Sequence, residues 1–318
     1  MSLIDTQIAG PDLLDGGSAS PRGSGRRRRA VEHDAGEMAG RRGGSKWVVI
    51  IGLVAFALYS IGPAWWLIVS ATKSKQDLFT TSGLWFSHFN LFENLASLFS
   101  YQNGIFSLWL WNSTVYAVLG SLGQTFVVLA AGYGLAMYRF KGRGATVAFI
   151  IASFLIPSTL LTIPSYLLYV QLGIYNTIWA MIVPAFFSPF AVYLAKVYTE
   201  GAMPAELMEA ARIDGAGEYR IFFRIGLRLL TTAGATIFLL HFVGSWNGFF
   251  GPLVFLRDSD KWPVMLGLYS WLQRGVDSTV DLTSLVITGS LVATIPMVLL
   301  MIAMQRYWKS GVTMGSLK

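Results

Sequence analysis

Six stretches of this chain are too long and too apolar for the helices of a water-soluble core. They cover residues 47–70, 108–137, 145–170, 176–197, 229–256 and 284–304. A hydrocarbon core of about 30 Å is crossed by a helix of about 20 residues, so each run is long enough to span a bilayer. Lipid offers no partner to a backbone N–H or C=O, so a spanning segment satisfies its own hydrogen bonds as a helix or closes into a barrel. Barrel strands read as short alternating segments, and the chain shows none. Composition agrees: 54% of residues are hydrophobic and 13% charged, against about 25% charged in soluble domains. The expectation is an all-α, polytopic membrane protein with six transmembrane helices.

The formal charge of +7 would suit a nucleic-acid partner, but its placement points to the membrane instead. With a cytoplasmic amino terminus, 19 of the 24 Lys and Arg fall on cytoplasmic segments, and only Lys73, Lys75, Arg257, Lys261 and Arg274 fall outside. That bias follows the positive-inside rule and predicts both termini in the cytoplasm. The organisation expected is a disordered Arg-rich tail over 1–44, a transmembrane domain over 45–305 and a cytoplasmic tail over 306–318. The first segment is rich in Gly, Ser, Arg and Asp and buries too little apolar surface to fold. Its Arg26–Arg29 run either meets anionic headgroups or serves as a solvated tail that fixes topology. Val69-Ser70-Ala71 has the spacing of a signal cleavage site, but the apolar run before it is too long for a signal core. There is no cysteine, hence no disulfide framework and no thiolate chemistry.

Within the spans, Pro157, Pro164, Pro184 and Pro189 predict bends in the third and fourth helices, because proline removes a backbone donor. Trp109 and Trp111 suit an interfacial belt. No Asp or Glu lies in any apolar core. Ion-driven carriers hold ionisable groups at membrane depth, so this chain has no ion-coupling machinery of its own. It also lacks the G-x-x-x-x-G-K-[ST] phosphate loop. If transport is driven, the energy enters from another subunit. No metal or cofactor site is expected in this chain.

The loop over about 200–228 interrupts the apolar pattern with EAARIDGAGEYRIFFRIGLRL, residues 209–229. Ala210 and Ala211 are small enough for close approach by a partner. Gly215 permits a backbone angle that other residues resist, so two short helices can meet at a sharp turn. Glu209 and Asp214 are charged acceptors, which make the stronger hydrogen bonds.

Glu209-Ala210-Ala211, Asp214-Gly215-Ala216, Phe222, Ile225 and Leu227 resemble the EAA loop of permease subunits of binding-protein-dependent ABC importers. Gly244-Ser245-Trp246-Asn247 with Gly251-Pro252-Leu253 resembles the carbohydrate-uptake branch. Gln305-Arg306-Tyr307 onward resembles the end of the shorter, maltose-type permease subunit. The resemblance implies a type I importer permease whose cytoplasmic helix-turn-helix docks on an ATPase through Glu209, Ala210, Ala211, Asp214, Gly215 and Ala216. It implies four kinds of partner: a homologous second permease forming a heterodimer, two ATP-binding subunits that carry the ATP and Mg, an extracytoplasmic solute-binding protein, and membrane lipid. It also implies a sugar or a related polyol or glycerophosphate as solute. The tail, with Gly311 and Gly315, either reaches the ATPase subunits or is a frayed end. The pattern departs where the family has L-P-L-x-x-P: Arg228 and Thr232 stand at the proline positions, which leaves the exit from the loop undetermined. Tyr166, Tyr169, Tyr193 and Asn247 are candidates for the substrate path, by stacking and hydrogen bonding, and are equally readable as packing residues. Two other functions fit parts of the pattern: a passive sugar facilitator, and an intramembrane serine hydrolase with Ser245 as nucleophile and His241 as base, four residues apart on one helical face.

Overall fold

The structure, a computed structural model, describes residues 24–277 and 282–314. Every regular element among them is helical, including the short α2 (Lys75–Thr80) and α3 (Leu91–Ser100) and, late in the chain, α14 (Val264–Asp277). The chain divides into two units, 1–63 and 64–318.

The first unit carries most of helix α1 (Ser24–Ala71). The backbone of 24–44 continues the same helix. The apolar run beyond it has already met the cost of nucleation, so the helix extends backwards one residue at a time. Residues 1–23 lie outside the described part. The apolar stretch 46–71 has none of its most hydrophobic window buried in protein; Leu53 and Leu58 are 62% and 68% exposed. A helix that is apolar all round and uncovered by its own chain belongs in hydrocarbon.

The second unit is built on α4 (Ile105–Met137), which packs between α8 (Pro189–Ala202) and α12 (Thr231–Trp246). Gly132 allows the closest approach. A Cβ there would lie 2.6 Å from the Ala195 Cβ and 2.7 Å from the Lys196 backbone nitrogen. Small residues at such crossings let membrane helices touch backbone to backbone. One core cluster surrounds the Met137 end of α4 and includes Leu129, Tyr133, Ala195, Met208, Phe222 and Leu230. A second surrounds the opposite end, where Phe106, Trp109 and Trp271 pack with Leu98, Leu268 and Leu285. We term these the basic and the aromatic ends.

Among the described residues, four helical stretches are long and apolar enough to cross a bilayer: 46–71, 91–137, 179–202 and 283–307. Two more qualify as bent pairs, 143–154 with 158–171 at 91° and 218–229 with 231–246 at 72°. Counted so, the spans number up to six, as expected. The prolines mark breaks and starts. α5 (Arg143–Phe154) stops before Pro157, since the residue before a proline is pushed out of helical geometry. Pro164 lies in the first turn of α6 (Thr162–Gln171), Pro184 near the end of α7 (Trp179–Ala185), and Pro189 opens α8 behind the Ser188 cap. The fifth apolar run is not one helix. α12 ends at Trp246, the chain turns at Asn247-Gly248, and α13 (Phe250–Phe255) packs against α6 and α7. An Asn-Gly pair carries turn chemistry that outweighs apolar flanks. α15 (Thr283–Met314) runs past residue 305, so Gly311 is helical, while Gly315 lies outside the described residues.

Candidate functional site

The 200–228 loop sits at the basic end. α8 stops at Ala202, and Pro204 leads into α9 (Ala205–Ile213), which has Glu206 in its first turn and Arg212 in its last. Both charges oppose the helix dipole. α9 closes through a Schellman turn. The Gly215 N–H donates to Arg212 O and the Ala216 N–H to Ala211 O, each at 3.0 Å. Gly215 has φ +79°, the left-handed conformation that this closure requires. The sharp turn read from the motif is therefore present, centred on that glycine. A Cβ on Gly215 would meet nothing within 4 Å, so a substitution there carries backbone strain without a clash inside the chain.

The loop presents two faces. Met203, Met208 and Ala211 are buried among Tyr133, Ile221 and Phe222. Glu209, Ala210 and Asp214 are exposed and Ala216 is half-buried. Ala211 thus packs on the protein's own core, and the surface open to a partner is Glu209, Ala210 and Asp214, flanked by Ile213 and Tyr219 at 86% and 85% exposure. The exit is sharp without either proline. After α10 (Glu218–Ile221), residues Phe222–Gly226 form a π turn, α11 (Leu227–Leu229) follows, and the helix bends at Leu230. The Thr231 hydroxyl donates to Arg228 O at 2.7 Å, covering a carbonyl that the bend frees.

Polar side chains tie the loop to the α4–α5 turn. Arg212 Nε donates to Glu218 Oε1 and the Tyr138 hydroxyl to Glu218 Oε2, both at 2.7 Å. Arg143 Nε donates to Leu135 O at 2.6 Å, and its Nη2 reaches Glu200 Oε1 at 3.0 Å. Lys196 Nζ takes the other Glu200 oxygen at 2.7 Å. Between these groups lies a polar pocket of about 520 Å³ lined by Arg139, Arg143, Glu200, Glu209 and Arg212.

A second cavity, of about 560 Å³, lies between α4, α8 and α12, with Tyr116, Gln124, Ser188, His241 and Ser245 as its polar lining and Met181, Phe190 and Leu240 among its apolar walls. Tyr166, Tyr169, Tyr193 and Asn247 do not line it. Tyr166 packs edge-on to Tyr175, Tyr169 against Phe255 and Tyr193 against Phe154, while Asn247 bonds back to Val243 O at 2.9 Å. Tyr116 and Gln124, which α4 contributes to the lining, stand eight residues apart on that helix. His241 Nδ1 lies 3.0 Å from Ser121 Oγ on α4, so the imidazole expected to serve Ser245 is engaged across the helix interface.

Residues 127–313 match the family described as binding-protein-dependent transport system inner membrane component. The chain belongs to that family. Its members are transport permeases, and this chain is a multi-pass inner-membrane protein; membership decides against the hydrolase and the unassisted facilitator. It is 34% identical over 278 residues to the arabinooligosaccharides transport system permease protein AraQ of Halalkalibacterium halodurans, covering 86% of this chain and 96% of that protein. It is 30% identical to the lactose transport system permease protein LacG of Rhizobium radiobacter, over 85% and 94% of the two chains. It is 28% identical to the sn-glycerol-3-phosphate transport system permease protein UgpE of Pectobacterium atrosepticum, over 83% and 93%. A chain from the crystal structure of a bacterial ABC transporter involved in the import of the acidic polysaccharide alginate shares the fold. Its TM-score is 0.73 at 22% identity, over 85% of this chain and 97% of that one.

Proposed function

We propose that this chain is one half of the translocation pore of an ATP-driven sugar importer, and that its 200–228 loop docks on an ATP-binding subunit. The observation that carries the reading is the Gly215 turn, which holds Glu209, Ala210 and Asp214 outward while Met208 and Ala211 anchor the same helix to the core. A homologous permease completes the pore. Two ATP-binding subunits bind and hydrolyse ATP with Mg, an extracytoplasmic binding protein delivers the solute, and this chain performs no covalent chemistry. Both termini and the loop face the cytoplasm, in line with the Lys and Arg bias. The end of α15, Gly311 included, extends toward the ATP-binding subunits.

Transport proceeds by alternating access. Closure of the ATP-binding pair draws the loops together and turns the pore from inward-facing to outward-facing. The sugar class follows from relatives named for arabinooligosaccharides, lactose and glycerol-3-phosphate. The cavity suits it, since Gln124, His241, Ser188 and Tyr116 offer hydroxyl-matching groups beside Phe190. Tyr166, Tyr169, Tyr193 and Asn247 would then meet solute only in another state of the pore.

The test is co-purification of the ATP-binding subunit with the permease, together with a ligand screen on the purified binding protein. A side chain larger than hydrogen costs about 1–2 kcal/mol in a left-handed conformation. Gly215→Val should therefore weaken assembly, with Gly217→Val milder because Gly217 has φ −70°, and Glu209→Ala milder still. Wild-type assembly in Gly215→Val would remove the loop from the docking surface.

A further inference from the structure

We propose that two polar clasps on the α4–α5 turn, Tyr138–Glu218–Arg212 and Arg143–Glu200, transmit the motion of the 200–228 loop into α4, with Tyr138 and Arg143 as positioning residues. The proposal rests on the docking reading above and adds the route by which a docked loop moves the cavity wall.

The apolar contacts between loop and α4 do not fix a register. Met208 meets the Tyr133 hydroxyl through its sulfur at 3.8 Å, and Phe222 lies against the Tyr133 ring at 5.0 Å between centroids. A thioether on a flexible side chain adapts readily to its neighbours. The clasps, by contrast, are directional. Glu218 ties α10 back across the Gly215 turn to Arg212 on α9, mainly through Oε1 with Nη2 reaching Oε2 at 3.4 Å, and through Oε2 it holds Tyr138, the residue that caps α4. The two halves of the loop and the end of α4 therefore share one carboxylate. Arg143, the first residue of α5, donates to Leu135 O and Ala136 O in the last turn of α4. The same guanidinium grips Glu200 in the last turn of α8, just before the loop begins.

Stability does not account for this arrangement. Arg212 and Glu218 are 43% and 44% exposed, and an exposed pair typically contributes under about 1 kcal/mol. Geometry gives it a use. α4 runs unbroken from the clasps to Gln124 and on to Tyr116 in the cavity wall. Fourteen residues of helix from Tyr138 to Gln124 span about 21 Å at 1.5 Å per residue. A shift imposed at the capped end of a helix packed backbone to backbone against α8 at Gly132 is carried along its length.

The chain has no cysteine, which gives a readout that needs no identified sugar. Gln124→Cys places a single thiol in the cavity. In the complex with its ATP-binding subunits, the rate of labelling by N-ethylmaleimide is measured with and without a non-hydrolysable ATP analogue. With the clasps intact, the analogue should change the rate by about fivefold or more, the lower end of typical coupling between sites. Adding Tyr138→Phe, which removes one hydroxyl and leaves the Arg212–Glu218 pair in place, should reduce that response to less than twofold while the ATP-binding subunit still co-purifies. Glu200→Gln should do the same from the other clasp. A full response in both variants overturns the proposal and leaves the docking reading intact. Loss of co-purification in Tyr138→Phe also overturns it, because the clasp would then shape the docking surface instead of relaying movement. No response in the parent Gln124→Cys complex, with the subunits bound, defeats the alternating-access reading and this proposal with it.

Discussion

The two ends of α4 hold their neighbouring loops by different means. At the aromatic end, side chains of the helix reach into the 256–264 segment and satisfy its backbone. Trp109 Nε1 donates to Ser259 O at 2.7 Å, Asn112 Nδ2 to Asp260 O at 2.7 Å and Trp262 O at 3.1 Å, and the Tyr116 hydroxyl to Lys261 O at 2.8 Å. Ser113 Oγ accepts from the Val264 N–H at 2.7 Å. The four side chains are buried. At the basic end the ties run between charged side chains, Arg212 with Glu218 and Arg143 with Glu200, and these are partly in water. Buried bonds to backbone cannot be exchanged without leaving a polar group unpaired. Exposed ion pairs can, since water replaces either partner at little cost. One end is therefore built to stay as it is, and the other to adjust as a partner docks.

The most damaging way to test that contrast is to separate α4 from α8. Gly132→Val puts a side chain into the Ala195 backbone, where even the first carbon would lie 2.6–2.8 Å from its nearest neighbours. Overpacking of this kind costs about 3 kcal/mol, the upper end of the usual range. Thermal unfolding in detergent should show a large loss for Gly132→Val and little for Gly134→Val, where a Cβ meets nothing within 4 Å. Equal losses would mean that the crossing at Gly132 is not what holds the two helices.

The apolar runs and the Gly215 turn were legible in the sequence because each rests on local physics: the length needed to cross lipid, and a backbone angle that only glycine takes easily. The break of the fifth run at Asn247-Gly248 was legible in principle and was outweighed by its apolar flanks. The partner contacts were not legible. Tyr138 and Glu218 are 80 residues apart, and Asn112 and Asp260 are 148 apart. In a soluble helix, periodicity tells which face is buried. In a membrane helix both the lipid-facing and the protein-facing sides are apolar, so the pattern does not single out the stripe of α4 that lines a cavity. The inward turn of Ala211 was hidden for the same reason, since an alanine serves a core and a docking face equally well.

The next effect in size falls on the aromatic end. Asn112→Leu keeps the volume but leaves the Asp260 and Trp262 carbonyls without their donor. An unsatisfied buried acceptor costs about 1–3 kcal/mol, so the unfolding temperature should fall clearly, and by less than for Gly132→Val. Arg212→Gln at the basic end breaks an exposed pair and should cost under about 1 kcal/mol. If Arg212→Gln proved the more costly of the two, the assignment of the rigid and the adaptable end would be reversed.

The smallest effect sharpens the comparison from within the aromatic end, where one cluster is exposed. Asp258 Oδ2 accepts from Lys261 Nζ at 2.6 Å and from Asn176 Nδ2 at 2.7 Å. These bonds, the one from Lys261 first, hold the Asp258 carboxyl below its ordinary value of 3.8. A carboxyl whose pKa is depressed on folding adds stability that is complete above its unfolded value and is lost as the pH falls through the folded one. The contribution should therefore be constant from neutral pH down to about 5, and should fade as the pH drops below 3.8. Asp258→Asn keeps an acceptor for Asn176 and removes only the charge. Unfolding temperatures of the two proteins should differ slightly at neutral pH and converge in acid. If exposure sets how much a tie contributes, this gap stays well below that of Asn112→Leu despite the shared end of the molecule. A gap as large as that of Asn112→Leu, or one that persists below the titration, would show that position along α4, and not exposure to water, decides which ties are strong.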